Sequence, residues 1–471
     1  MPDLHPNYTI AVNGTKYSVH MIYIDSVGEF TFKRTMPKTD KLIKDMYKAF
    51  EFKYLHKVGE NTAPNEKAFL MNKISETVID VFKNRSSILK DIDLKTYCEM
   101  DKSKLSFAPR YFKQNGYKTM HAEDYWRSPL QYHDYCKGIE KFDHDIWTYN
   151  RPSWTDKTLI NAWNSRCLES FQVTLDNLHS YITKYQNQNT YSFNFMTMLQ
   201  HDSLNGLYHA DDSFANFFKE NTKQFENSFI IFSSDHGVRY GKYREQTDIA
   251  AYEDNNPFLR LIVPKALRSD KMFMELVKEN SRKYVSQYDV FATMIDVLTE
   301  GARTNFKDLN YVDFDKVMKY HVVGQSFLRE MKERDEFEMG VPINYHFYKR
   351  HKVELNDTFY PEIKKFVIER VIENINLKLV SGNLTKICTK LFLKEKAAQH
   401  VYVVNIKGKA YFDFQVRTTP GTGIFIGMLD NNFQSIERVM RRVSSYAYEA
   451  ESCTTRNSAR QFCFCKKLLP G

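Results

Sequence analysis

Short apolar runs punctuate the first three hundred residues, and each leads into polar or acidic positions. The first is Val19-His20-Met21-Ile22-Tyr23-Ile24-Asp25. A second covers 191–198 and passes into Gln200-His201-Asp202. A third is Phe229-Ile230-Ile231-Phe232-Ser233-Ser234-Asp235-His236-Gly237, and a fourth spans 258–264. Apolar runs that do not alternate with polar residues fit strands buried on both faces, as in parallel sheets. Between them, helical spacing covers 66–83, 211–220 and 270–284. This alternation predicts an α/β domain with a mostly parallel sheet flanked by helices. Ligands of such sheets sit beyond the carboxyl ends of the strands, which puts Asp25, Asp202, Asp235 and His236 in candidate positions.

The pattern changes after about residue 345. Residues 361–380 read as a helix. From 386 onward β-type runs take over, at 400–406 and 411–416, with glycine-rich turns at 421–427. The expected organisation is a catalytic α/β domain over 1–345, a helical linker over 346–385, and a small β-rich module over 386–471. No internal repeat is visible.

Composition narrows the class. Aromatic residues make up 15% of the 471 positions, which requires a large packed core and excludes intrinsic disorder. No apolar run reaches the roughly 18 residues of a membrane-spanning helix. The formal charge of +9 is unevenly placed: residues 386–471 hold 14 Lys/Arg against 6 Asp/Glu, the rest 53 against 52. A nucleic-acid binder would carry its charge on the body as well, so no nucleic-acid partner is expected. The basic module instead suggests an anionic glycan or a membrane surface.

Four of the seven cysteines, Cys388, Cys453, Cys463 and Cys465, lie in that module. Their spacing is poor for zinc and suggests two disulfides, with all three connectivities open. Sequons occur at Asn7, Asn13, Asn84, Asn356 and Asn383. Cysteines and sequons together point to an extracellular or secretory-lumen glycoprotein. The N-terminus, MPDLHPNYTIAV, has neither a basic nor an apolar signal region, so the expectation includes a signal or anchor outside this chain.

Two features carry chemistry. Ser234-Asp235-His236-Gly237 sets a hard carboxylate beside an imidazole at a strand end, a donor pair suited to a divalent cation. Gly59-Glu60-Asn61-Thr62-Ala63-Pro64-Asn65 opens a helix, where a hydroxyl meets unsatisfied N–H groups and the positive end of the helix dipole. That suits a nucleophile attacking a phosphate or sulfate. Each feature alone also fits a plain turn or an ordinary N-cap.

In order and spacing these residues resemble the alkaline-phosphatase-like and sulfatase superfamily. There a first strand ends in a metal Asp, a Thr, Ser or Cys nucleophile begins a helix, and a Ser-Asp-His-Gly follows late. The stretches at 112–119, 252–258, 286–296 and 324–328 resemble the superfamily's "GYxT", "YEE…VP", "DlyPTilD" and "GxSL" segments. Within it, Asp25-Ser26 with Met36-Pro37-Lys38-Thr39, the stretch 234–241 and the ending Phe462-Cys463-Phe464-Cys465 resemble the metazoan family called domain of unknown function 229.

The resemblance implies an alkaline-phosphatase-like core, a catalytic Thr62, and a cation held by Asp25, Thr62, Asp235 and His236. The cation would be Zn, Mn or Ca. Asn65, Arg239 and Arg244 are candidate substrate contacts. Sulfatases carry Cys or Ser in C/S-x-P-x-R, whereas this chain has Thr62-Ala63-Pro64-Asn65-Glu66, and Thr cannot become formylglycine. The expected activity is therefore a metal-dependent hydrolase or transferase acting on phosphoesters of lipid or glycan type. A catalytically inactive binding protein, and after it a sulfatase, are the alternatives. A second metal site would draw on Asp202, His209 and His321. Position 206 is Gly where two-metal relatives have His, so one site is favoured over two.

Overall fold

The computed structural model describes residue 14 and residues 16–469, apart from 81–84, 101–104, 126–135, 137–143, 150–155, 159, 162–168, 347–352, 407, 437–438, 455–456 and 458. The sequons at Asn7, Asn13 and Asn84, together with His133 and Cys167, lie outside the described residues.

Two compact units emerge. The first comprises residues up to 79, 87–238 and 253–346; the second comprises 80–86, 239–252 and 347–471. The first is built on a seven-stranded sheet. Its strands are β1 (Ser18–Ile24), β2 (Phe50–Glu51), β4 (Lys118–Glu123), β5 (Ile146–Tyr149), β6 (Thr190–Met196), β7 (Ser228–Ser233) and β8 (Leu259–Ile262), while β3 (Leu55–His56) and β9 (Val285–Ser286) pair separately. The sheet order is β2-β8-β7-β1-β6-β4-β5. The five strands from β7 to β5 run parallel, and β8 and β2 extend that edge antiparallel.

Burial on both faces explains the unbroken apolar runs. In β1, Val19, Met21 and Tyr23 enter one core while Ile22 and Ile24 enter the other. In β7, Phe229 and Ile231 divide from Ile230 and Phe232 in the same way. The first core is covered by helices Thr62–Met71, Ala108–Gln114, Lys271–Asn280 and Gln287–Leu298, the second by Pro37–Tyr47, Ser170–Lys184 and Asp211–Glu220. Each large apolar side chain buried this way contributes about 1.5–3 kcal/mol. Cys98 is paired with Cys136, a link not anticipated from the sequence.

The helix expected over 66–83 runs only from Thr62 to Met71. Asn72 stops it in a left-handed conformation (φ 53°), tying its side chain to His321 O and Val323 N.

In the second unit, helix Pro361–Ser381 lies in the core. Val367, Val371, Ile375 and Leu379 recur every four residues and cluster with Val401, Phe412, Phe414, Val416 and Phe425 of the sheet. The segment expected as a linker is therefore packed structure. The sheet is antiparallel, ordered β10 (Val353–Glu354), β12 (His400–Ile406), β13 (Lys409–Thr419), β14 (Ile424–Leu429) and β15 (Arg441–Arg442), with β11 (Phe392–Leu393) also on β13. Cys388 is bonded to Cys463 and Cys453 to Cys465. Not all of the module's positive charge is external: Arg441 and Arg442 are buried, and Arg442 pairs with Glu449 at 2.6 Å. Asn383 is exposed just past the helix, and Asn356 is half-buried. No helix among the described residues is long and apolar enough to cross a membrane.

Candidate metal centre

Strand register brings the two distant motifs together. β1 and β7 are parallel neighbours with Tyr23 opposite Ser233. Extending that register by two places sets Asp25 beside Asp235 at the carboxyl edge of the sheet. Asp25, Asp235 and His236 are all buried, and one donor atom from each lies within 4.8 Å of the others.

The backbone around these residues is closely fixed. Ser26, at φ 64°, donates its hydroxyl to Asp25 Oδ1 at 2.8 Å and its N–H to Asp235 Oδ1 at 3.3 Å. Ser234 Oγ accepts from Val27 N–H at 3.0 Å and lies 2.8 Å from the His236 carbonyl. Gln287 Nε2 donates to the carbonyls of Ser234 and Asp235, each at 3.0 Å. A Cβ at Gly237 would stand 2.0 Å from Glu253 O, so the turn after His236 closes only with glycine.

His236 Nδ1 lies 2.8 Å from Gly237 O. Donation to that carbonyl leaves Nε2 as the basic nitrogen, 3.3 Å from Asp235 Oδ2 and 3.7 Å from Asp25 Oδ1. Burial raises the Asp235 pKa, and the charge of Asp25 adds to this; His236, the Thr62 hydroxyl and Ser26 N–H oppose it. Asp235 Oδ2 is buried with no hydrogen-bond partner among the described residues. Two carboxylates and an imidazole nitrogen at this spacing, one oxygen without a hydrogen-bond donor among the described residues, fit a divalent cation.

Thr62 is the first residue of its helix and half-buried, with Asn61 as an extended N-cap. The loop before it is tight: a Cβ at Gly59 would meet Pro64 Cγ at 2.2 Å. Asn65, expected to contact substrate, is buried and serves this loop instead. Its amide donates to Gly59 O at 3.0 Å and Asn61 O at 2.8 Å, and its Oδ1 accepts from Val58 N–H at 2.7 Å.

The other expected site residues are dispersed. Asp202 is 83% exposed and pairs with His201 at 2.7 Å. His209 pairs with Glu169 at 2.6 Å, and His321 with Asp315 at 3.0 Å, both exposed. None of the three joins a group of three potential ligands among the described residues. Arg239 stacks over the Tyr240 ring at 4.8 Å, and Arg244 is buried in the short helix Lys242–Gln246; both belong to the second unit.

Several buried acids were not anticipated. Glu123 closes β4 and Asp124 follows it. Asp124 accepts from Thr197 N–H at 2.7 Å and Ser170 Oγ at 2.8 Å, and burial raises its pKa to about 6. The sequence signal was a short run ending in acids, the signature that marks Asp25. Glu66 lies four residues after Thr62 and is fully buried.

A family model described as "Protein of unknown function (DUF229)" matches residues 7–396. Comparison with curated proteins finds no match. Among solved structures, the chain is similar to the C-terminal periplasmic domain of EcEptC from Escherichia coli, at 13% identity over 71% of this chain and 92% of that one, with a TM-score of 0.43. It is similar to the lipooligosaccharide phosphoethanolamine transferase A (EptA) from Neisseria meningitidis at 14% identity, covering 63% and 60%, with a TM-score of 0.40. The lipoteichoic acid synthase LtaP from Listeria monocytogenes aligns at 12% identity, covering 61% and 76%, with a TM-score of 0.35.

Proposed function

The chain belongs to the DUF229 family, and we propose that it is an alkaline-phosphatase-like, metal-dependent phosphoesterase or phosphoryl-headgroup transferase acting through Thr62. One observation carries this reading: Asp25, Asp235 and His236 gather at one sheet edge, and the Thr62 hydroxyl is among the groups that hold down the Asp235 pKa. Asp25, Asp235, His236 and Thr62 would hold one divalent cation. When bound, the cation supplies Lewis acidity that lowers the hydroxyl's pKa and draws charge from the phosphoryl oxygens.

The residues of the chain do the rest. Thr62 Oγ attacks phosphorus, the ester oxygen leaves as an alcohol, and a phosphothreonine forms. Water or an acceptor hydroxyl then attacks that phosphorus and returns the proton to Thr62. The helix N-terminus presents N–H groups to the developing negative charge. Asn65 and Gly59 keep the nucleophile's loop in one conformation. Thr62 cannot supply a formylglycine, which disfavours sulfate-ester chemistry. Phosphoesters of lipid or glycan type are the proposed substrates. The proposed setting is extracellular or secretory-lumenal, and the basic second unit is the proposed contact to anionic glycans or membranes.

Turnover of an aryl phosphodiester by purified protein tests the reading. Thr62→Ala and Asp235→Asn should each abolish it while circular dichroism stays unchanged. Full activity in both variants would sink it. A protein that binds no cation after exposure to Mn, Zn and Ca would favour a non-catalytic binding role.

A further inference from the structure

Helix Pro361–Ser381 buries one face in the second unit through Val367, Val371, Ile375 and Leu379. Its outer face is not polar in return. Leu377 is 57% exposed and Val380 62%, and their three-residue spacing sets them on one side of the helix. Beside that side runs the segment 385–392, and an open groove lies between the two. Phe392, 57% exposed, stands on the segment's wall. The walls are fixed to each other. Asn376 Nδ2 donates to Leu391 O at 2.8 Å, and Asn376 Oδ1 accepts from Leu391 N–H at 2.9 Å. The Cys388–Cys463 bond holds the segment in addition. Single exposed apolar side chains are ordinary on a protein surface, but several on the walls of one fixed groove mark an interaction surface.

Charge gathers at the same place. Lys390 and Lys466 line the groove, and Lys466 Nζ lies 2.8 Å from Thr385 O. They belong to two stretches, 386–396 and 466–467, that also hold Lys386, Lys394, Lys396 and Lys467. All six lysines are exposed, unlike Arg441 and Arg442. Glu395 is the one acid in those stretches. Glu373, on the helix wall, is paired with Arg370 at 2.6 Å.

This combination discriminates among occupants. A second copy of the chain, seated across a two-fold axis, would bring one lysine cluster against another. An anionic glycan would use the lysines and leave the apolar side chains in water. An anionic bilayer uses both, because apolar side chains enter the headgroup boundary while lysine stems lie along it and their ammonium groups meet phosphates. We propose that the groove between helix Pro361–Ser381 and the segment 385–392 docks on an anionic lipid bilayer, with Leu377, Val380 and Phe392 entering the interface and Lys390 and Lys466 meeting the headgroups. The inference rests on the reading of the basic second unit as a glycan or membrane contact, and narrows it to one surface and one partner. It does not draw on the metal chemistry of the first unit.

Flotation of the full chain with vesicles tests this, using phosphatidylcholine alone and phosphatidylcholine mixed with phosphatidylserine. The wild type should float with the mixed vesicles and not with the neutral ones. Lys390→Gln/Lys466→Gln should weaken binding about 30-fold, and Leu377→Ser/Phe392→Ser at least about tenfold, both with unchanged circular dichroism. Equal binding to the two vesicle types, or wild-type affinity in either double variant, would overturn the proposal. Retention on heparin without flotation would make the partner a glycan and overturn it too. So would a dimer, seen by sedimentation, that Leu377→Ser/Phe392→Ser dissociates. Asp235→Asn should float like the wild type, and both groove variants should keep their turnover of a soluble aryl phosphodiester. Absence of flotation therefore overturns the docking surface alone, and absence of turnover the phosphoesterase reading alone.

Discussion

Ser26 and Asp235, 209 positions apart, are joined by a hydrogen bond from the Ser26 N–H to the Asp235 carboxylate. The Ser26 hydroxyl reaches back to Asp25, so one left-handed residue braces two proposed ligands. Ser26→Ala retains the N–H bond and loses the hydroxyl. Cation affinity should fall about 10–100-fold, read by titrating metal into stripped protein, with little change in secondary structure. Unchanged affinity would show that Asp25 needs no brace.

Acid should destabilise the first unit through two buried histidines. Burial lowers the pKa of His20 to about 3, and that of His56 to about 3, where a hydrogen bond to Tyr345 O opposes the shift. The unfolded imidazole titrates near 6.5. Between those values the unfolded chain binds more protons than the folded one, so the stabilising contribution is complete above about pH 6.5. It declines as pH falls toward 3, by about 1.4 kcal/mol per pH unit for each histidine. His20→Gln should make urea-unfolding free energy less steep between pH 6.5 and 4; an identical slope would contradict this.

Arg260 ties the sheet to the helices over it. Its guanidinium binds Glu29 through two nitrogens, at 2.8 and 3.0 Å, and Asp40 at 2.7 Å, with no solvent exposure. Arg260→Leu would leave Glu29 and Asp40 with only the partly exposed Lys33 and Lys44 as partners and should cost about 3 kcal/mol. Arg260→Lys should recover only part of this, because an ammonium cannot reproduce the planar fork. Chemical denaturation of both variants checks the order.

The Cys388–Cys463 link closes a 75-residue separation. Loop-closure entropy assigns it about 4 kcal/mol. The double variant Cys388→Ser/Cys463→Ser should lower the melting of the second unit, seen by calorimetry, while metal binding by the first unit persists. Loss of both together would mean the two units unfold as one.

The strands and the Asp25 and Asp235-His236 positions were legible because their signals are local: a doubly buried strand is apolar throughout, and a strand-end acid follows it directly. The structural part Asn65 plays was not legible because its three partners lie in the 58–61 loop, whose folded turn no sequence pattern displays. The helix ends at Asn72 rather than near 83 because His321 and Val323 claim its side chain. Asp202, His209 and His321 looked available because their true partners, His201, Glu169 and Asp315, give no motif.

The position of β1 in the middle of the sheet has a consequence for biosynthesis. It is translated well before both strands it pairs with, since β6 and β7 begin at residues 190 and 228. At about 5–20 residues per second, the ribosome needs roughly 10–40 s after Asp25 to deliver Asp235. Through that interval β1 lacks both of its pairing partners, and the proposed cation would have half its ligands. An exposed apolar strand of this kind is aggregation-prone, and capture of the proposed cation would mark the end of domain assembly rather than its beginning.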